Sequence, residues 1–129
     1  MSSLENVKAV MMVDKVEPSE VAGVFVVYFK GLEGSPLVEM KLELPRQLLM
    51  FKKGDKVTLE LAESPISWGE KSDLHLRARI FGLKPIEGVS ILYASAGGLQ
   101  LRLSFKESSQ RFQSLSKVYI AFKIMKETG

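Results

Sequence analysis

Glycine, proline and short polar clusters interrupt this chain roughly every 8 to 15 residues, and the stretches between them are rich in Val, Ile, Leu, Phe and Tyr, the punctuation of short antiparallel strands. Helix is scarce. The first segment, Val7 to Val16, ends at EPSE, and the second, VAGVFVVYFK, runs into GLEGSP. In the third, LVEMKLEL, strict alternation puts Val38, Met40, Leu42 and Leu44 on one face and Glu39, Lys41 and Glu43 on the other, as in a half-buried strand. The segment LHLRARIF places Leu74, Leu76, Ala78 and Ile80 inward and His75, Arg77, Arg79 and Phe81 outward, the most basic row in the chain. A sixth strand, Val89 to Ser95, leads through Ala96-Gly97-Gly98 into a seventh with Leu99, Leu101, Leu103 and Phe105 inward and Gln100, Arg102 and Ser104 outward. Gly97-Gly98 suits a tight turn because glycine takes positive φ at little steric cost. After the polar stretch KESSQRFQSLS, a last strand, KVYIAFKIMK, buries Val118, Ile120, Phe122 and Ile124.

Between the third and fourth strands lies PRQLLMFKKGD. Pro45 can open a single helical turn or tight bend that carries Leu48, Leu49 and Phe51 inward, and Gly54-Asp55 then turns the chain into a strand burying Val57, Leu59 and Leu61. A short apolar cap over the open end of a sheet is what a small barrel needs. The prediction is all-β: residues 1–129 as a single antiparallel β-barrel related to the OB-fold, with about eight strands and one short helical plug. At 129 residues and 46% apolar content there is material for one core without staples.

Much chemistry is excluded by composition. There is no cysteine, hence no disulfide, thiolate nucleophile or cysteine-ligated zinc. No apolar run reaches the roughly 20 residues of a membrane helix, and the N-terminus lacks a signal-peptide pattern, so a cytoplasmic protein is expected. His75 is the only histidine and lies between two leucines, without a second histidine for a metal pair or a nucleophile–base arrangement. The carboxylates have no marked spacing, and the glycines form no phosphate cradle. No enzyme, cofactor or metal is predicted. Net charge is +3 but uneven: residues 1–45 hold four Lys/Arg against seven Asp/Glu, leaving fourteen against eight in residues 46–129. The basic half suits nucleic acid, an acidic protein surface, or ordinary solvated lysines. Single-strand binding needs aromatics beside a basic groove, and the outer row of the third strand has none, so a protein partner is the leading expectation.

Residues 91–105, ILYASAGGLQLRLSF, carry Tyr93, Ser95, Gly97, Gly98, Leu99, Leu101, Arg102 and Leu103 in a phrase that resembles the small barrel subunit of DNA-directed RNA polymerase, the eighth subunit of the eukaryotic nuclear enzymes and its archaeal counterpart. The resemblance extends to Val13, Val16, Glu17 and Pro18, to LELP and GDKVTLEL, and to the terminal KVYIAFKI. It departs at AESPISWGEKSD, where eukaryotic members carry a much longer acidic insertion, so the archaeal branch is the nearer match. The resemblance implies a non-catalytic transcription subunit that docks on the outside of the largest subunit, near the pore to the active centre, and supports assembly and stability. A free-standing single-strand-binding protein of the OB type is the alternative. The expected interface combines Arg77, Arg79, Phe81 and Arg102 with the Gly97-Gly98 turn, because an aromatic flanked by guanidinium groups is a common hot-spot composition.

Overall fold

A computed structural model describes residues 6–106 and 116–125. The polar stretch predicted between the last two strands therefore lies, at residues 107–115, outside the described residues. Eight strands form a closed barrel: β1 (Val7–Pro18), β2 (Val24–Gly31), β3 (Leu37–Pro45), β4 (Lys56–Ala62), β5 (Leu74–Ile86), β6 (Val89–Ala96), β7 (Leu99–Lys106) and β8 (Lys117–Ile124). The order around the barrel is β1-β2-β3-β7-β6-β5-β8-β4, and every neighbouring pair is antiparallel. Pairing of Val7 with Leu61 and Met12 with Lys56 closes the circle, so no long strand edge is left to pair with another chain. The expected all-β barrel is thus the observed fold. Its interior is one apolar core in which Met11, Phe29, Leu42, Leu92, Leu103 and Phe122 are almost fully buried.

The alternation is reset at three β-bulges, where the register shifts between Val13 and Lys15, Leu37 and Glu39, and Ile80 and Gly82. A bulge adds one residue to one strand, so two consecutive residues face the same side. This corrects the reading of the third strand: Leu37 is buried and Val38 is the extra, exposed residue. Other positions differ from the simple pattern. Leu99 and Ile124 are only partly buried at strand ends, and Ser104, although outward, is 8% exposed. Ala121, on the outer side of β8, is covered by Ile66, with Trp68 and Tyr119 packed alongside.

The plug is the expected single turn, but not all of its apolar side chains face inward. A single 3-10 turn spans Arg46–Leu48, and Leu48 stays exposed. Leu49 and Met50 pack partly against the core, while Phe51 enters it fully, with ring centroids 5.2 Å from Phe29 and 5.7 Å from Phe122. A second 3-10 turn spans Gly69–Lys71, in the long loop.

The β6–β7 hairpin closes on Ala96 opposite Leu99, with Gly97 at φ 56° and Gly98 at φ 89°. Positive φ at both central residues matches the right-handed strand twist and is strained for any β-branched side chain. Replacing either glycine by Val is expected to lower stability by about 1 to 3 kcal/mol, read as a lower urea midpoint; two variants that unfold like the parent would show that neither dihedral is required.

Candidate functional site

The two-residue turn fixes which outward side chains of β6 and β7 meet. With Ala96 opposite Leu99, Ser95 falls opposite Gln100 and Tyr93 opposite Arg102. Continuing around the barrel, Arg102 lies opposite Lys41 on β3, Lys41 opposite Tyr28 on β2, and Tyr28 opposite Lys15 on β1. In the other direction Tyr93 lies opposite Gly82 on β5, and Phe81 is the extra residue of the bulge there. One transverse band, Lys15–Tyr28–Lys41–Arg102–Tyr93–Phe81, therefore crosses six strands, about 24 Å at the usual strand spacing. Each end of it is a bulge, which adds an outward side chain, Asp14 at one end and Phe81 at the other.

The band is packed as well as aligned. The Lys15 ammonium sits 4.6 Å from the Tyr28 ring centroid and that of Lys41 at 5.7 Å, so the aromatic face gathers both cations. At the other end the Phe81 and Tyr93 rings are 6.1 Å apart, and Tyr93 lies across the strand from Gly82. Phe81 is 53% exposed, the most exposed aromatic side chain among the described residues. Carboxylates surround the band, and most have partners: Lys30 pairs with Asp14 at 3.8 Å, Lys15 with Glu17 at 3.4 Å, and the Gln100 backbone N–H donates to Glu43 at 2.8 Å. A cleft lies between Tyr28, Lys41 and Arg102, with Asp14, Lys30 and Glu39 on its rim.

The expected interface residues are only partly brought together. Phe81 and Arg102 meet through Tyr93, whereas Arg79 lies opposite Ser95 and Lys117, and Arg77 opposite Tyr119. The two β5 arginines thus lie successively farther from Arg102, toward the end of the barrel where Gly97-Gly98 forms the hairpin tip. Tyr28, Lys41 and Tyr93 join the site although none of them is among the expected interface residues. For Tyr93 a signal exists, because a two-residue Gly-Gly turn sets the hairpin register. For Tyr28 and Lys41 there is none, because the β3–β7 pairing joins strands far apart in the chain. The outer row of the third strand, expected to lack a stacking aromatic, does have one beside it: β2 supplies Tyr28.

Elsewhere, polar side chains anchor the long loop and the start of the first strand. The Trp68 indole N–H donates to one Glu60 carboxylate oxygen at 3.1 Å and the Asn6 amide to the other at 2.6 Å, which ties the long loop to β4. His75 packs over Gly69, with its ring 6.0 Å from that of Tyr119. Among the described residues no three His, Cys, Asp or Glu side chains converge as metal ligands, and no helix is long and apolar enough to cross a membrane.

No family model matches the chain, and no curated protein does. Among solved structures it is similar to the cytoplasmic molybdate-binding protein ModG, at 12% identity and a TM-score of 0.36, over 95% of this chain and 92% of that one.

Proposed function

We propose that this chain is a non-catalytic accessory subunit of a DNA-directed RNA polymerase of the archaeal type, a cytoplasmic protein that docks on the largest subunit and supports assembly of the enzyme. The observation that supports this reading is where the structure places the residues of the phrase that resembles that family. Leu101 and Leu103 are core, Gly97 and Gly98 meet the dihedral demands of the turn, and Tyr93 and Arg102 face each other on the outside, where the fold does not need them. Tyrosine and arginine are hot-spot residues at protein interfaces, and the exposed Phe81 ring extends their patch. A standard interface takes about 800 Å² from each partner, roughly a tenth of this chain's 7943 Å² surface, an area on the scale of the band.

The test is recovery. A tagged copy isolated from its native cells at moderate salt is expected to bring the large polymerase subunits in near-equal amounts. Replacing Phe81 by Ser together with Arg79 by Glu is expected to leave the unfolding midpoint nearly unchanged, since both side chains are exposed, yet to lower recovered polymerase about tenfold. Full recovery with that variant would remove the patch; no polymerase with the parent chain would remove the assignment.

Single-strand binding remains the second reading because Tyr28 and Tyr93 stand beside Lys41 and Arg102, a stacking and phosphate-contacting composition. Asp14, Glu17, Glu39 and Glu43 around the same band oppose a polyanion. Oligonucleotide binding by the isolated chain is expected to be weak and steeply salt-dependent.

A further inference from the structure

Lys41 and Arg102 stand directly opposite each other on adjacent strands. Like charges in that position repel and destabilise a sheet. Each cation along the rest of the band has compensation: Lys15 has Glu17, and Lys30, beside the band, has Asp14. Glu43, the carboxylate next along β3, is held by the Gln100 backbone N–H instead. Among the described residues, no carboxylate lies within ion-pair distance of Lys41 or Arg102; Lys41 has the Tyr28 ring, and Arg102 has no polar partner. Tyr28 lies opposite Lys41 and Tyr93 opposite Arg102, so the two tyrosines flank the pair along the band, and a cleft lined by Tyr28, Lys41, Arg102 and Ser104 opens beside it. A like-charge pair with Arg102 exposed and Lys41 half-buried, flanked by two tyrosines, is a receptor for one anionic group.

We propose that Lys41 and Arg102 form a clamp for a single carboxylate, an Asp or Glu side chain of the largest polymerase subunit, with Tyr28 and Tyr93 covering it from water. This rests on the docking assignment above and names its anchor. The guanidinium takes a carboxylate in a bidentate fork, and the flexible ammonium adds a third contact. One carboxylate suits the site better than a phosphate chain, because Asp14, Glu17, Glu39 and Glu43 surround it and would repel the neighbouring phosphates. Binding one anion turns the repulsion between Lys41 and Arg102 into two attractions, so the pair favours the docked state over the free one.

Zero-length coupling tests this directly, since a carbodiimide joins an ammonium to a carboxylate only in contact. In purified polymerase carrying this chain, Lys41 is expected to be joined to an Asp or Glu of the largest subunit. Its reaction with a water-soluble acetylating reagent is expected to fall at least fivefold from that in the free chain. Lys41→Arg is expected to keep incorporation while losing the cross-link. Arg102→Glu is expected to lower incorporation at least tenfold, and Arg102→Lys to restore part of it. Lys41 acetylated equally in free and assembled protein, or coupled only to Glu39 or Glu43 of its own chain, would overturn the clamp and leave the subunit assignment standing. Failure of the parent chain to copurify with polymerase would overturn both. Tight oligothymidylate binding by the free chain that Arg102→Glu abolishes would reassign the pair to nucleic acid and overturn the clamp.

Discussion

Replacing Phe51 by alanine is expected to remove about 4 kcal/mol of unfolding free energy, a large part of the ~5–15 kcal/mol a domain of this size possesses. The side chain is 3% exposed and makes an edge-to-face contact with Phe29 and a tilted contact with Phe122. Those two rings belong to strands on different parts of the wall, β2 and β8, so Phe51 bridges the barrel interior from a segment outside the sheet. The walls cannot collapse into the space it would leave, because the hydrogen-bonded ladders fix them. The penalty should therefore lie well into the range for large-to-small core substitutions. Leu48, three residues earlier and 40% exposed, provides the contrast: Leu48→Ala is expected to change stability by less than about 0.5 kcal/mol. Urea denaturation of both variants decides it. Equal losses would mean that the 3-10 turn seals the barrel; a loss below about 1 kcal/mol for Phe51→Ala would mean that residues 46–55 do not seal it.

Phe51 also shows where the sequence speaks and where it stops. Apolar residues after a proline signal a cap, and Phe51 lies inside as that signal requires. Which of the leucines joins it depends on the turn's handedness and on the barrel end it meets, neither of which is a local property. The strands are legible because their side chains alternate with period two against a single core. Their departures are not, because a bulge is one extra residue whose place is set by the partner strand: nothing local to LVEMKLEL says that Val38, not Leu37, is the one turned out. The same gap explains the surface. Arg77 and Arg79 attract notice as a basic row in one segment, yet the band that forms comes from six strands and is assembled by register. Within one hairpin that register can be deduced from Gly97-Gly98. Between β3 and β7, and between β1 and β2 across the bulge at Asp14, it is a consequence of closure.

Gly31→Ala is expected to destabilise the barrel by about 3 kcal/mol, at the upper end for an added methyl group in a packed site, and for a reason no turn rule would suggest. Gly31 ends β2 opposite Met11, and it is not among the glycines with positive φ, so its backbone would suit alanine. Space is what is missing. A Cβ there would collide with the carbonyl oxygen of Leu37 and lie 3.3 Å from the Ser35 Cβ. Neither neighbour is free to retreat. Leu37 begins β3, is fully buried and pairs with Phe105, and its N–H is held by the Ser35 hydroxyl at 3.2 Å. Ser35 is itself buried, with its N–H donating to the Leu32 carbonyl at 2.9 Å. The added methyl must therefore push backbone against backbone, where no rotamer change can relieve it. Gly34 makes the comparison sharp: it has φ 83° with open space around its missing Cβ, so Gly34→Ala meets only dihedral strain and is expected to cost about 1 kcal/mol. Urea midpoints should thus rank parent, Gly34→Ala, Gly31→Ala, and amide exchange at Leu37 and Phe105 should accelerate most in the last. Gly31→Ala unfolding at or above the Gly34→Ala midpoint would show that the β2–β3 loop yields freely and that the close approach to Leu37 is not a constraint on the fold.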